Sequence, residues 1–197
     1  MPLLLICSDS SIAEVLSFGP STNSSVFWID QSRPNTNIPP SYQKWGFVFK
    51  VPVGFNQIKS LRVFVRSGGF PDDATEFQVK LTEWDVLNEQ PIGDPIFLSS
   101  PHPFANDPSV PEAERGTSPT DFLVQKEVTP DTTYIIEILG DGLASMNTTT
   151  GFTDAGLYEW QEGYGWRMFG DHDLRIDIDI LPPEIIMLDG FERSYVK

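Results

Sequence analysis

The chain has little of what catalysis and metal binding commonly use. Among 197 residues it carries one cysteine, Cys7, and two histidines, His102 and His172. A single cysteine excludes an intrachain disulfide, and a cysteine nucleophile would have to find its base in one of those two histidines. The simpler reading of Cys7, within "PLLLICSD", is a buried inert thiol. One cysteine and two isolated histidines make a poor zinc set, and no His-Glu-x-x-His run occurs. Gly-x-Ser-x-Gly is also lacking, which removes the nucleophile elbow of α/β-hydrolases. "GDGLAS" and "GYGWRMFG" pair their glycines at spacings that fit neither the dinucleotide fingerprint nor the phosphate loop. No cofactor is expected.

Basic residues are scarce as well. Lys and Arg number 13 against 28 Asp and Glu, for a net charge of −15. Such a surface repels phosphate backbones, so nucleic acid is not an expected partner. Anionic membrane surfaces are disfavoured on the same ground. No apolar run approaches the roughly 20 residues of a membrane-crossing helix. "MPLLLIC" lacks a positive n-region and is short for a signal-peptide core, so it reads as a terminal β-strand. The expectation is synthesis into the cytosol, with any exterior location reached by assembly.

Helical periodicity is nearly missing, with "SVPEAERG" the one candidate helical turn. The 15 glycines and 17 prolines punctuate the chain too densely for long helices. What is present is period-two alternation. "KWGFVFKV" puts Trp45, Phe47, Phe49 and Val51 on one face. "SLRVFVR" sends Leu61, Val63 and Val65 inward, with Arg62, Phe64 and Arg66 outward. "TEFQVKLTEW" sends Phe77, Val79 and Leu81 inward and Glu76, Gln78, Lys80 and Thr82 outward. "TTYIIEIL" sets Tyr134, Ile136 and Ile138 against Glu137. "SVFWID", "DPIFLS", "DFLVQKEV" and "AGLYEW" are shorter candidates. Many short strands between Gly/Pro turns predict an all-β fold, an antiparallel β-sandwich of jelly-roll type. One domain over 1–197 is expected, with 1–24 and 183–197 as interaction arms or as strands closing the protein's own sheet. Three long irregular segments are read between the strands: "DQSRPNTNIPPSYQ", the proline-rich "SSPHPFANDPSVPEAERGTSPTD", and a Gly- and aromatic-rich loop from Gly140 to His172.

"DHDLRIDIDI", Asp171 to Ile180, is the densest acidic stretch. Its alternation puts His172, Leu174, Ile176, Ile178 and Ile180 on one face and Asp171, Asp173, Arg175, Asp177 and Asp179 on the other. Neighbours on one face of a strand stand about 6.6–6.8 Å apart, too far for one calcium ion to collect several carboxylates at about 2.3–2.6 Å. The stretch therefore reads as a half-buried strand with a wet acidic face, Arg175 relieving repulsion among the aspartates, and no metal is expected. A cation site at Asp171 and Asp173 is the competing reading.

Tyr158, Trp160, Tyr164, Trp166 and Phe169 crowd the third irregular segment. Exposed rings there could stack on sugars, with Arg167, Asp171 or Asn147 bonding hydroxyls; they could equally anchor a protein interface or fold over the end of the sandwich. Tyr158, Trp160, Tyr164, Trp166 and Arg167 are the candidate ligand-binding residues. Glu159 and Glu162 are the one carboxylate pair worth testing for glycoside hydrolysis, against the reading that they are ordinary loop charges. No other catalytic residue is nominated.

In order, "WGFVFKVP", "IKSLRVFVR", "FQVKLTEWD", "GDPIFLSS", "VTPDTTYIIEI" and "DLRIDI" are similar to jelly-roll modules of bacterial surface and anchored exoproteins and of tailed-phage structural proteins. The resemblance spans roughly residues 43–180 and rests on strand and turn spacing. It implies a scaffold or sugar-binding role and carries over no catalytic residue. "MPLLLIC" does not read as an export signal, nor "FERSYVK" as a membrane tail, which tilts the expectation to a virion protein. The expected function is a non-enzymatic decoration or tail protein of a phage particle, partnered by its own copies or other virion proteins. The alternative is a carbohydrate-binding module or adhesin at the cell surface.

Overall fold

The computed structural model describes residues 13–18, 26–30, 44–67, 76–103, 118–139, 143–150, 156–161, 163–168 and 172–183. Cys7, Glu162, Phe169, Asp171, the "SVPEAERG" turn and the segment 184–197 lie outside the described residues, as do the side chains of Asn147, His172, Asp173 and Leu174.

Every described element is a strand. They are β1 (Glu14–Phe18), β2 (Val26–Asp30), β3 (Lys44–Lys50), β4 (Gln57–Ser67), β5 (Glu76–Asp85), β6 (Gln90–Leu98) and β7 (His102–Pro103), followed by β8 (Ser118–Glu127), β9 (Thr133–Leu139), β10 (Leu143–Thr150), β11 (Gly156–Gln161), β12 (Gly165–Met168), β13 (His172–Leu174) and β14 (Ile176–Leu181). They form two antiparallel seven-stranded sheets packed as a β-sandwich. The first runs β1-β14-β4-β10-β13, with β2 beside β10 and β8 beside β4. The second runs β12-β11-β3-β9-β5-β6, with β7 beside β5. Of the N-terminal stretch 1–24, residues Glu14–Phe18 form β1 and pair with β14 of the same chain.

The core follows the alternation. Phe47, Phe49, Phe77, Val79, Leu81, Tyr134, Ile136 and Ile138 of the second sheet face Leu61, Val63, Val65, Phe122, Val124, Ile176, Ile178 and Ile180 of the first. Phe77 and Phe122 meet edge to face, with ring centroids 5.7 Å apart, and tie the sheets together. His102 sets its ring against both, at 5.8 and 5.7 Å. Turns are held by side chains of the expected kind. Asp85 accepts bonds from the Leu87 and Asn88 amides and from the Asn88 side chain, at 2.9, 3.1 and 2.6 Å, which closes the β5–β6 turn. Those bonds, with that of the Asn88 side chain first, hold the Asp85 carboxyl below its ordinary pKa.

Three residues point outward as expected but are covered rather than wet. Glu137 and Thr82 point away from the core yet are buried, because the second sheet carries another apolar layer on its outer face: Val48, Trp84, Ile135 and Tyr158, with Trp166 packed on them. The Glu137 carboxylate lies there against the Lys80 ammonium, its neighbour across β5 and β9. Phe64 is buried on the outer face of the first sheet, with the Arg175 guanidinium 4.1 Å above its ring.

β14 keeps the expected half-buried alternation with its aspartates on the outer face, and the neighbouring strand β4 supplies charges that balance them. Asp179 meets Lys59 at 3.2 Å. Asp177 stands opposite Arg62, which in turn holds Asp121 through bonds of 2.6 and 3.1 Å. Asp121 is the main cause that keeps the Arg62 proton bound more tightly than usual, and Asp177 adds to it. Half-exposed pairs of this kind contribute about 0–1 kcal/mol. Asp177→Asn should therefore change stability by no more than about 0.5 kcal/mol in urea unfolding. A calcium-dependent rise in melting temperature that this substitution abolishes would instead make the acidic face a cation site.

Candidate aromatic surface on the outer face of the second sheet

The segment read as a long aromatic loop is largely strands β10 to β13. Of its described glycines, Gly156 opens β11 and two others shape a turn. Gly163 and Gly165, with φ of +84° and +76°, flank Tyr164 in the turn joining β11 to β12. Glycine adopts that left-handed backbone without the Cβ clash other residues meet. A hairpin signal was present in the sequence, glycines between two β-prone runs, but it was masked by their resemblance to an irregular aromatic loop.

The hairpin sorts the candidate residues by face. Residues directly opposite in an antiparallel pair share a face. Tyr158 pairs with Met168, and Trp160 with Trp166, so these four lie on the outer side. Glu159 pairs with Arg167 and, on its other flank, with Trp45 of the core, so they lie on the inner side. The five nominated residues thus divide: Tyr158, Trp160 and Trp166 gather outside, Tyr164 stands at the tip, and Arg167 turns away.

Arg167 is occupied. Its Nε and terminal nitrogen donate to Glu159 Oε2 at 3.3 and 3.0 Å. The Glu159 side chain is only 4% exposed. It is a buried strand carboxylate held by a cation, which corrects its reading as an ordinary loop charge. Arg167→Ala should destabilise the fold by about 1–3 kcal/mol, since it leaves a buried acceptor without its charged donor. Unfolding curves measure this; an unchanged midpoint with lost ligand binding would return Arg167 to the ligand site.

Outside, Trp84 of β5 reaches across the sheet. Its ring meets Tyr158 at 5.0 Å and Trp166 at 5.8 Å, both edge to face. Gly46 makes this crossing feasible. A Cβ there would stand 2.4 and 2.7 Å from the Ile135 side chain and 3.3 Å from Trp166. Trp84 is 4% exposed and Tyr158 7%, so both serve mainly as packing. Trp160 and Trp166 are half-buried, while Met168 is 51% and Tyr164 81% exposed. The usable surface is therefore Tyr164, Met168 and the open parts of the two tryptophans. Sequence reasoning missed Trp84, which lies far from the aromatic run, and Met168, which lies within that run but is not itself aromatic.

Burial, and then the charge of Glu89, raise the Tyr158 hydroxyl above its ordinary pKa of 10.0. The sign follows. Above that ordinary value the unfolded chain loses the phenol proton while the folded chain keeps it. Stability linked to Tyr158 is complete below pH 10 and declines as the pH rises through the folded value. Wild type should lose melting temperature above pH 10 more steeply than Tyr158→Phe; parallel profiles would remove the linkage.

Among the described residues no three His, Cys, Asp or Glu side chains gather in a geometry that could hold a metal ion. Compared with known proteins, the chain matches no family model and no curated protein.

Proposed function

We propose that this chain is a structural component of a phage particle, a decoration or tail protein that works through protein–protein contacts. The observation that carries the reading is apolar surface at the rim of the second sheet, where Leu87 is 93% and Tyr164 81% exposed. Each stands in a turn at a strand end, and exposed tyrosine is among the usual anchors of protein interfaces. The net charge of −15 fits an exterior part that must not adhere to a packaged genome. The resemblance of the segment order over roughly residues 43–180 to tailed-phage structural modules supports the same reading. Particles purified on a density gradient should contain this chain, and the chain added back to stripped particles should rebind. A stable monomer by light scattering that associates with no particle would overturn the reading.

Carbohydrate binding is the second reading, favoured by the cross-strand Trp160–Trp166 pair with Tyr164 beside it. Half-open aromatic rings are suited to stack on sugar faces. A glycan array tests it: binding to no glycan, or binding that survives Trp160→Ala with Tyr164→Ser, would remove it.

A further inference from the structure

The geometry points to β12 as the docking edge for a basic, extended segment of a partner protein, which adds as a strand beside β12 and lays alternate lysine or arginine side chains over Trp166, Tyr164 and Met168. This deepens the reading that the chain works through protein contacts and rests on it.

Among the described residues β12 is the terminal strand of the second sheet, paired only with β11. An edge strand presents backbone N–H and C=O groups to whatever lies beside it, and strand addition is a recurrent mode of peptide capture. Apart from its shortness, four residues, β12 keeps few of the usual defences of an edge. Its one charge, Arg167, is bound to Glu159 on the inner side. It has no proline, and its outer face is aromatic and thioether. β12 pairs with β11, which pairs in turn with β3, so the edge is built into the sheet before any partner arrives.

Charge selects the occupant. The chain bears −15, which favours a basic segment over an acidic one at this edge. Aromatic ring faces attract ammonium and guanidinium groups. The Glu89 carboxylate acts on Tyr158, which places a negative charge beside the aromatic layer. Side chains of an added strand alternate between faces, so every second residue of the partner meets the outer aromatics. A lysine or arginine there can lay its apolar stem along Trp166 or Met168 and keep its charge in water.

The test uses three short acetylated peptides with a fluorescent label, read by anisotropy against the full chain. One alternates lysine and valine, one lysine and proline, one glutamate and valine. The Lys–Val peptide should bind at least about tenfold more tightly than the other two, since proline cannot join the ladder and glutamate has the wrong sign. Tyr164→Ser with Met168→Ser, both at exposed positions, should weaken the Lys–Val peptide by about fivefold or more. Asp177→Asn on the first sheet should leave its affinity unchanged. Equal binding of the Lys–Val and Lys–Pro peptides, or equal losses from the two sets of substitutions, would overturn the proposal as mere attraction of a polycation. So would no peptide binding together with capture of a neutral oligosaccharide that depends on Tyr164, which would make the surface a sugar platform. Stripped particles that rebind wild type and the Tyr164→Ser, Met168→Ser variant equally would overturn this edge as the contact while leaving the particle reading intact.

Discussion

Phe47→Ala should lower the unfolding free energy by about 3–5 kcal/mol, among the largest losses of any single substitution in the chain. Phe47 is fully buried at the middle of the second sheet. Ile136 of β9 and Leu157 of β11 are its direct cross-strand neighbours. The Phe18 ring of β1 meets it from the opposing sheet, with centroids 4.9 Å apart and planes at 59°. Truncation thus opens a cavity that touches both sheets at once. Strands cannot close on it readily, since each is fixed by its ladder, so little of the void can collapse. For a chain of this size the corresponding drop in melting temperature is about 6–20 °C. Urea unfolding at constant m-value measures it. A loss under about 1 kcal/mol would mean that this face is wet and the alternation is assigned to the wrong side.

Lys80→Ala should cost nearly as much, about 3–5 kcal/mol, though lysine at a strand surface ordinarily contributes little. The difference lies in its partner. The Glu137 side chain is 1% exposed, and Lys80, itself 21% exposed, supplies its counter-charge. Without the ammonium a carboxylate remains in a place with almost no water. Removing both charges should behave differently. Lys80→Met with Glu137→Leu replaces the pair by apolar groups of similar size, and such exchanges are often neutral or stabilising by about 1–4 kcal/mol. A double-mutant cycle in urea separates the two cases. If Lys80→Ala and the double variant lose stability equally, the cost is lost packing rather than a stranded charge.

These two residues mark how far the sequence could be read. Phe47 was legible: in "KWGFVFKV" a period of two leaves its large apolar residues one side to occupy, and that side is the core. The same holds for Ile136 and for Ile176, Ile178 and Ile180 between their aspartates. Glu137 was not legible. Alternation separates two faces but does not say that both are covered, and Trp84 and Tyr158, which cover Glu137's face with Ile135, come from strands distant in sequence. The candidate surface was half legible. The aromatic richness of residues 158–169 was plain, but the hairpin that divides Trp166 from Arg167 was not, because a single residue of register exchanges faces.

The sequence by itself determined the all-β class, the inward set of each main strand and the outer acidic face of β14. Each depends on a local period of two and on turn residues acting over a few positions. The tertiary structure alone decided that Trp84 packs on Tyr158 and Trp166, that Arg167 holds Glu159 rather than facing a ligand, that Arg62 and Lys59 balance the β14 aspartates, and that β12 is a sheet edge. These are pairings between strands separated along the chain. Their register is set by the closing of two sheets on a shared core, and no local pattern carries that information.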